Sequence, residues 1–495
     1  MANSKAGIKY DVVVVGAGNA ALTTAMSASQ SGAKVLVLEK APHSFRGGNS
    51  RFSGGLFRFA YESLEDLKPL RPDVIPNDWE RVEVEPYESE RYLDDIMSTS
   101  RGQSSTQLLQ VLTQKSYDTM TWMTDLGVEW DWTALWSVKS EESLRFNPGT
   151  VLESKNKGVG LMAYLFRAVE NSGIEVSYQA KMTRLMQDQQ GSVCGVSLQT
   201  PNGMEDVLTK AVVLASGGFE ANAEMRARYL GTGWDQVKVR GTRYNTGETL
   251  RMALEIGAKP VGHWQGCHAT PIDGDAPAMG DLRLTDRTNR LSYPYSIMVN
   301  SLGKRFVDEG EDLGGLTYAK TGRAILNQPG AIAYQIFDAK TIHLLEERYS
   351  TGTPVVSETI SGLAEGLGLP VAEMVSTIDA YNAAVQPGDF DSTKKDGKCT
   401  AGLEPAKSNW ATLIDSPPYT SYPVACGITF TYGGVQIDPD ARVIDTEDNP
   451  MPGLFATGEI TGDFFYHNYP GGSGLMRGAV FGRIAGANAA TFANG

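Results

Sequence analysis

Three small residues near the N-terminus have the spacing of a dinucleotide-binding loop. Gly16, Gly18 and Ala21 lie in GAGNAA, directly after the run YDVVVV. Small residues at these places permit a tight turn and close approach of a pyrophosphate to the amides that open the next helix. Glu39 comes 23 residues after Gly16, where a carboxylate can bind a ribose diol and disfavours the 2′-phosphate of NADP. The pattern predicts FAD or NAD, and a purely structural turn is the alternative.

Further glycine-rich turns favour FAD over NAD. The stretch RGGNSRFSGG at 46–55 contains four glycines, which let a backbone pass close to a ligand and present its amides. Similar turns follow three later strand-like runs, and an extended FAD needs backbone contacts along its pyrophosphate and its isoalloxazine. The remaining predicted cofactor-binding residues are Lys40, Gly47, Gly48, Asn49, Ser50, Ser53, Gly54, Gly55, Ser216, Gly217, Gly218, Gly458, Glu459, Gly472, Ser473, Gly474 and Leu475.

The elements that position these loops come from both ends of the chain. Residues 10–15 and 33–38 are apolar, β-branched runs typical of buried parallel strands, and 22–31 forms the helix between them. Near the C-terminus, 453–459 reads as a strand and turn, and the glycine turn at 471–474 opens a helix through residue 490. The C-terminal segment is therefore expected to complete the first domain.

The remainder of the first domain is predicted to be helical and then stranded. Residues 92–170 are mostly helical, with helices at 106–126 and 160–171. Strands follow at 175–200, ending in a PNG hairpin turn, and at 211–215.

Residues 263–425 differ in character and predict an inserted domain. They contain longer loops, several prolines and helical patterns near 318–326 and 371–385. The predicted division is therefore 1–262 for the first part of the dinucleotide-binding domain, 263–425 for the insertion and 426–495 for the second part.

Composition narrows the classes of function. The chain has 495 residues, a net charge of −14, 41% hydrophobic and 21% charged residues, as expected of a globular protein of two or three domains. The charge argues against nucleic acid or an anionic membrane as partner, and an anionic substrate needs a locally positive pocket. No apolar run predicts a membrane span or signal peptide, so the cytoplasm is the expected location. The four scattered cysteines predict reduced thiols and no structural metal.

Several longer motifs carry a family resemblance. They are GAGNAA at 16–21, GGNSRFSGG at 47–55, LASGGFEAN at 214–222, NTGETLRMALEIGA at 245–258, GKRFVDEG at 303–310, and ATGEITG followed by YPGGSGL at 456–475. As a set they resemble the flavoprotein family of succinate dehydrogenase and fumarate reductase, which also includes 3-ketosteroid Δ1-dehydrogenases. RGTRYNTGE, TYAKTGRAIL and NYPGGSGLMRGAVFGRIAG are most similar to its tricarballylate dehydrogenase-like branch.

The resemblance implies an α/β fold in which a Rossmann-like FAD-binding domain is interrupted by an α+β capping domain, with a small-molecule substrate between them. It implies chemistry that adds or removes two hydrogens across a carbon-carbon bond next to a carboxylate or ketone, with hydride exchanged at flavin N5 and a proton at a protein group. Some members tether FAD through a histidine in the glycine loop. Gly48 stands there in this chain, so noncovalent FAD is expected. The electron acceptor, a quinone, a partner protein or oxygen, stays unidentified.

The chain departs from the fumarate reductase pattern at the reacting end. After GKRFVDEG no arginine comes before Arg323, so the proton-donor arginine of those enzymes is expected to be absent. Their carboxylate-binding arginine before Gly-Gly is replaced by Tyr469, which is similar to a tyrosine with which ketosteroid dehydrogenases bind a substrate carbonyl. His268, in CHATP, is similar to a substrate-binding histidine of fumarate reductases.

The candidate catalytic residues are therefore His268, Tyr318, Arg323 and Tyr469, with Tyr318 a possible general base and Arg323 a possible carboxylate ligand. Ring packing or a surface salt bridge is the structural alternative for each. We expect a dehydrogenase of a small carboxylate or ketone, tricarballylate dehydrogenase-like in class. Fumarate reductase-like reduction of an activated double bond and a flavin-binding scaffold are the alternatives. An arginine distant in sequence, such as Arg243, Arg283 or Arg477, can replace the missing one on folding.

Overall fold

The computed structural model of the protein describes residues 8–139 and 143–495. Within these ranges the helices, α1 to α11 in chain order, are Asn19–Gln30, Ser89–Thr99, Thr106–Gln114, Ser116–Asp125, Lys157–Asn171, Ala223–Leu230, Glu248–Glu255, Gly314–Leu326, Ile360–Leu367, Val371–Ala384 and Ser473–Asn494. The strands, β1 to β22, are Tyr10–Val15, Val35–Glu39, Leu56–Phe57, Val82–Glu83, Trp130–Trp132, Ser137–Lys139, Leu144–Phe146, Leu152–Ser154, Glu175–Tyr178, Lys181–Gln187, Val193–Thr200, Gly203–Leu214, Lys238–Val239, Pro260–Val261, Cys267–Asp273, Ile297–Asn300, Ile332–Phe337, Val355–Ser357, Tyr419–Thr431, Gly434–Val435, Arg442–Ile444 and Pro450–Ala456.

The larger sheet grows from the βαβ unit predicted from the sequence. β1 pairs in parallel with β2 on one side and with the end of β12 on the other, and β22 lies parallel beside β12. β9 extends the sheet beyond β2, while β10 and β11 form an antiparallel extension of β12. Val12, Val13 and Val14 are fully buried, as expected of a strand covered on both faces. The carboxyl ends of β1, β2 and β12 therefore meet at one edge.

The last helix packs against the first at this edge. Gly482 of α11 permits the close approach, because a Cβ there would lie 2.2 Å from Thr23 Oγ1 and 2.8 Å from the Ala20 carbonyl oxygen. Asn19 Nδ2 donates a hydrogen bond to the Leu475 carbonyl oxygen at 2.8 Å. Although α11 has 22 residues, no helix in the described part of the chain is both long and apolar enough to cross a membrane.

A second sheet is centred on the long strand β19. β15, β17 and β18 pair antiparallel with it, β16 pairs with β17, and β13 pairs parallel with its end. β19 spans Tyr419–Thr431 and so continues across the predicted domain limit between residues 425 and 426. The three-part domain division stays a prediction, and β19 is the element that leads from the predicted insertion back to the cofactor loops.

The prediction of a mostly helical segment at 92–170 is wrong for its central part. The short strands β5, β7 and β8 lie there, and aromatic residues such as Trp130 and Trp132 favour extended structure. The single helix predicted at 106–126 is two helices, α3 and α4. The Ser116 hydroxyl donates to the Thr113 carbonyl oxygen at 2.7 Å, a local bond that competes with a continuous helix. The strand predicted at 211–215 is the end of the longer β12.

Candidate functional site

A large cavity lies where the carboxyl ends of β1, β2 and β12 meet the N-terminal ends of α1 and α11. The cavity is open to solvent, and the space inside it, including that open part, is about 1640 Å³. The wall continues from Glu39 past Gly16 and Gly48 to Tyr469. Open α/β sheets bind ligands at this edge, so this cavity is the expected place for a dinucleotide.

The predicted phosphate loop forms a tight backbone turn on this wall. Gly16 has φ of 114°, and a Cβ there would lie 2.3 Å from the Ala215 carbonyl oxygen. The Ser50 hydroxyl accepts a hydrogen bond from the Asn19 backbone amide at 3.0 Å, which holds the loop at 46–55 against the start of α1. The two glycine-rich loops thus form one continuous surface of backbone atoms.

Glu39 ends β2 at the far end of the cavity. Its Oε1 accepts a hydrogen bond from the Ala41 amide at 2.7 Å, and the residue lines the cavity. Burial raises the pKa of the Glu39 carboxyl to about 7. Lys40 also lines the cavity, but its ammonium lies 3.0 Å from a carboxylate oxygen of Glu248. Glu39 can therefore accept a hydrogen bond from a ribose, whereas Lys40 already has a counterion.

A buried carboxyl pair supports the middle of the cavity. Asn49 Nδ2 donates to Glu220 Oε1 at 2.5 Å, and the Thr431 amide donates to Glu459 Oε1 at 2.8 Å. Burial raises the pKa of both carboxyls, and the adjacent Glu459 raises that of Glu220 further. Glu220 therefore holds the proton of the pair. Asn49 Nδ2 also donates to the carbonyl oxygen of Thr429 in β19 at 2.6 Å, so it fastens the loop at 46–55 to the second sheet.

The N-terminal end of α11 closes another side of the cavity. Gly472 precedes the helix with φ of 88°, and Gly474 and Leu475 line the wall. The positive end of the helix dipole favours negative charge there. Ser473 lies buried behind the wall.

Two tyrosines from distant segments meet at this end of the cavity. The hydroxyls of Tyr318, in α8, and Tyr469, in the loop before α11, are 2.7 Å apart. The Gly471 amide donates to the Gly315 carbonyl oxygen at 2.8 Å and Asn468 Nδ2 to that of Leu316 at 2.5 Å, so the loop is tied to the start of the helix. Burial raises the pKa of both phenols, that of Tyr318 to well above its usual value. Both are therefore neutral hydrogen-bond donors.

His268 lies directly behind the two phenols. Its ring is 4.9 Å from the Tyr318 ring and 5.1 Å from the Tyr469 ring, centroid to centroid, and is stacked 5.2 Å from Phe430. Burial lowers the pKa of His268 to well below its usual value, and neither ring nitrogen has a hydrogen-bond partner in the described chain. The imidazole is neutral and supports the tyrosines from outside the cavity wall.

The structure brings most of the predicted site residues together. Those that line the cavity are Gly16, Gly18, Glu39, Lys40, Gly48, Asn49, Ser50, Ser53, Gly54, Gly55, Ser216, Gly217, Tyr318, Gly458, Glu459, Tyr469, Gly472, Gly474 and Leu475. Those placed just behind the wall are Ala21, Gly47, Gly218, His268 and Ser473. Ala21 is fully buried in α1, and Gly218 packs against Glu459.

Arg323 is the predicted catalytic residue that the fold does not bring to the cavity. Its Nη2 donates to the Gln265 carbonyl oxygen at 2.6 Å, and its guanidinium lies 4.7 Å from the Trp234 ring. The side chain leaves α8 on another face than Tyr318, because five residues separate the two on a helix with 3.6 residues per turn. Arg323 therefore does not line the cavity in this structure, and its role as a carboxylate ligand stays a prediction.

Sequence reasoning missed two arginines on the cavity wall, Arg240 and Arg348. Arg348 is 6% exposed and lies 2.7 Å from Asp286 and 3.0 Å from Glu346. Among the residues that the structure describes, Arg240 has no such ion pair. Arg477, named as a possible replacement, also lines the cavity, and burial lowers its pKa to about 10. Arg240 opens the RGTRYNTGE motif, but the family resemblance assigned it no role, and Arg348 lies outside the motifs named above. Only the fold shows that both arginines reach the cavity.

Fold and cavity together define an α/β protein that binds a dinucleotide at the carboxyl edge of a parallel sheet. The family described as FAD binding domain matches residues 11–475. The chain is 30% identical to a probable fumarate reductase of Shewanella frigidimarina (strain NCIMB 400), with 97% of this chain and 75% of that protein covered. It is 29% identical to a urocanate reductase of Eggerthella lenta, with 98% and 75% covered.

The fold is similar as well. A solved structure of a flavocytochrome c3 fumarate reductase in its open conformation matches with a TM-score of 0.73 and 29% identity, covering 99% of this chain and 79% of that one. The chain belongs to the FAD-binding flavoprotein family of succinate dehydrogenase and fumarate reductase, and it is an FAD-dependent oxidoreductase.

The residues of the cavity fit FAD. Gly16 has no side chain, so its backbone leaves room for a pyrophosphate. The Glu39 carboxylate on the cavity wall suits a ribose. The N-terminal end of α11 suits the electron-rich pyrimidine edge of a flavin. Gly48, which offers no side chain for a covalent bond to flavin, lines the same wall. Noncovalent attachment of FAD stays a prediction.

Proposed function

We propose that the protein reduces an activated carbon-carbon double bond next to a carboxylate or ketone of a small molecule. The observation that carries this proposal is a pair of neutral phenols at one end of the cavity. The hydroxyl oxygens of Tyr318 and Tyr469 are 2.7 Å apart there. Two relatives are named for the reduction of fumarate and urocanate, which are both unsaturated carboxylates. When bound, FAD supplies hydride exchange at its N5 atom.

The two phenols have complementary tasks in this proposal. Negative charge develops on the substrate's carbonyl oxygen during reduction, and Tyr469 donates a hydrogen bond to it. Tyr318 transfers its proton to the carbon next to that carbonyl, and Tyr469 or solvent returns a proton to Tyr318. Burial keeps the pKa of Tyr318 well above its usual value, so the residue is in the protonated form that reduction requires. His268 holds both rings in place from behind.

Dehydrogenation of a cyclic ketone is a second candidate. The tyrosine-proline-glycine sequence at Tyr469 resembles the carbonyl-binding segment of ketosteroid dehydrogenases, and the same phenols can act in the reverse direction once Tyr318 loses its proton. The tricarballylate-like substrate expected from the sequence also belongs here and stays a prediction. The raised pKa of Tyr318 favours the reductive direction, because a general base at that position must first be ionised.

Electrons must reach the flavin from another molecule. The chain spans 75% of the probable fumarate reductase and 75% of the urocanate reductase. We propose a small or protein electron donor that reduces the flavin from outside the substrate pocket.

The decisive experiment is anaerobic. The flavin is reduced with a stoichiometric amount of dithionite, and fumarate, urocanate, cinnamate and cyclohex-2-enone are added in turn while the oxidised flavin band near ~450 nm is followed. Rapid return of the band with one compound, together with its saturated product, supports the reductase. Bleaching of the oxidised protein by tricarballylate or cyclohexanone instead would establish the dehydrogenase, and no response in either direction would contradict both.

A further inference from the structure

Arg240 is a buried cation on the wall of the cavity. The residue follows β13 and is 8% exposed. Its Nε donates to Thr429 Oγ1 at 3.0 Å, and its Nη1 donates to the Phe52 carbonyl oxygen at 3.0 Å. Both acceptors are neutral. These bonds hold the guanidinium in one orientation. Nη2 has no hydrogen-bond acceptor among the residues that the structure describes.

No carboxylate of residues 8–139 or 143–495 lies within ion-pair distance of Arg240. The nearby Asp286 already lies 2.7 Å from Arg348 and is paired with it. A buried charge without a counterion lowers the stability of a folded protein. Burial lowers the pKa of Arg240, yet arginine stays protonated at neutral pH. The folded chain therefore has an uncompensated positive charge beside its ligand cavity.

The other buried arginines of the site differ in this respect. Arg58 is paired with Asp95 at 3.1 Å, and Arg348 is paired with two carboxylates. Arg477 lies 5.0 Å from the Phe465 ring and has the charge of Glu459 near it. Within the described chain, Arg240 thus has neither an ion pair, as Arg348 has, nor an aromatic ring at its guanidinium, as Arg477 has. The nearby Asp286 is paired with Arg348.

The electrostatic neighbours of Arg240 place it at the reacting end. Its positive charge lowers the pKa of Tyr318 and Tyr469, which burial raises. The same charge lowers the pKa of His268, which burial also lowers. The phosphates of FAD belong near Gly16 and Gly18, at the other end of the cavity, where α1 begins. The anion that faces Arg240 is therefore part of the substrate rather than of the cofactor.

Resting on the function proposed above, we propose that Arg240 binds the carboxylate of the substrate and makes the enzyme selective for unsaturated carboxylic acids over their uncharged amides. Guanidinium groups bind carboxylates through paired, charge-assisted hydrogen bonds. Phe430 and Trp136 line the same end of the cavity, so a planar, conjugated acid fits the space between the arginine and the phenols. In a chain of net charge −14, this local positive charge is what admits an anion.

The test compares each acid with the amide of the same shape. Holoprotein with oxidised flavin is titrated with cinnamate and cinnamamide, and with crotonate and crotonamide, and Kd is obtained from the change in the flavin spectrum. We expect wild type to bind the acid at least tenfold more tightly than the amide. Arg240→Gln should reduce this ratio to about one while the Kd of the amide changes less than twofold. Arg240→Lys, which keeps the charge and loses the planar fork, should lie between them. Arg323→Gln is the matched control, because that guanidinium lies outside the cavity.

Two outcomes overturn the proposal. An unchanged acid-to-amide ratio in Arg240→Gln, or a wild type without preference for the acid, assigns the arginine no role in substrate binding. A shifted flavin reduction potential with the ratio unchanged assigns it to the cofactor instead. If Arg240→Gln does not retain FAD, the Arg240→Lys ratio decides alone. Because these titrations need no turnover, selective binding without reoxidation of reduced flavin would contradict the proposed reductase while leaving the role of Arg240 intact.

Discussion

The hydroxyl groups of Tyr318 and Tyr469 are 2.7 Å apart although 151 residues separate them in the sequence. One comes from a helix that packs on the second sheet and the other from the loop before α11. Their meeting depends on backbone hydrogen bonds between the loop and the start of that helix, such as the one from Gly471 to Gly315 at 2.8 Å. The reacting end of the cavity is thus formed jointly by the two parts of the chain.

Removal of either hydroxyl should impair turnover without loss of cofactor. We expect Tyr318→Phe and Tyr469→Phe each to lower kcat by roughly 10²-fold, the scale of general acid catalysis, and the double variant to be little worse than either, because the two act as a unit. Steady-state kinetics and flavin content per chain are the measurements.

Tyr432→Phe is the matched control for these variants. Its phenol is fully buried, does not line the cavity and has no hydrogen-bond partner in the described chain. It should retain kcat within twofold. Full activity of both single variants at the reacting pair would refute the assigned proton transfer.

Cofactor binding should depend on the bare backbone at Gly16. We expect Gly16→Ala to abolish FAD binding, because its Cβ would lie 2.3 Å from the Ala215 carbonyl oxygen at the place where the pyrophosphate passes. Gly32→Ala is matched for backbone strain, with φ of 86° and no atom within 4 Å of its Cβ. Flavin absorbance per chain after purification should be lost in the first variant and kept in the second. Equal FAD content in Gly16→Ala and Gly32→Ala would contradict the assignment of Gly16 to the phosphate-binding loop.

The stability of flavin-free protein should depend on pH through Glu39. Its folded pKa, about 7, lies above the ordinary 4.5, so the proton is bound more tightly in the folded chain. The stabilisation is complete below pH ~4.5 and is lost as the pH rises through 7. Glu39→Gln cannot ionise, so it should exceed wild type by up to about 3 kcal/mol above pH 7 and match it near pH 4.5.

Urea unfolding at pH 5 and pH 8 measures this difference, with exposed Glu365→Gln as the control. The same variant should bind FAD more weakly, because an amide offers the ribose only one acceptor oxygen. A difference in unfolding free energy that is equal at both pH values would show that ionisation of Glu39 is not its cause.

Noncovalent FAD is a separate expectation. Gly48 provides no side chain to which flavin can bond, so acid precipitation should release all of the yellow colour into the supernatant. The intact mass of the precipitated chain should equal that of the polypeptide. A coloured pellet with a mass increased by one flavin would contradict the expectation and require an attachment residue elsewhere.

The cofactor end of the site could be predicted from the sequence because its chemistry is local. Gly16, Gly18 and Glu39 lie within one βαβ unit, where strand, turn and helix are adjacent in the chain, and the structure places all three on the same cavity wall. The later glycine turns could be added because each follows a buried strand. Short-range patterns of this kind depend little on the rest of the fold.

The reacting end could be predicted only in part. Tyr318 and Tyr469 stood out through family resemblance, but their contact depends on long-range packing that no local pattern contains. Arg240 lies in the RGTRYNTGE motif, but nothing in that motif indicates that its side chain reaches the cavity, and Arg348 lies in no such motif. Arg323 is directed away by its position on α8. The strands between 130 and 154 were missed because they are short and alternate weakly.

The packing of α11 on α1 has a consequence for biosynthesis. The amide side chain of Asn19 binds the carbonyl of Leu475, 456 residues further along the chain, and both sides of the seam form walls of the cavity. A ribosome completes the first wall long before the second. FAD therefore cannot be enclosed until α11 has been synthesised and has packed against α1.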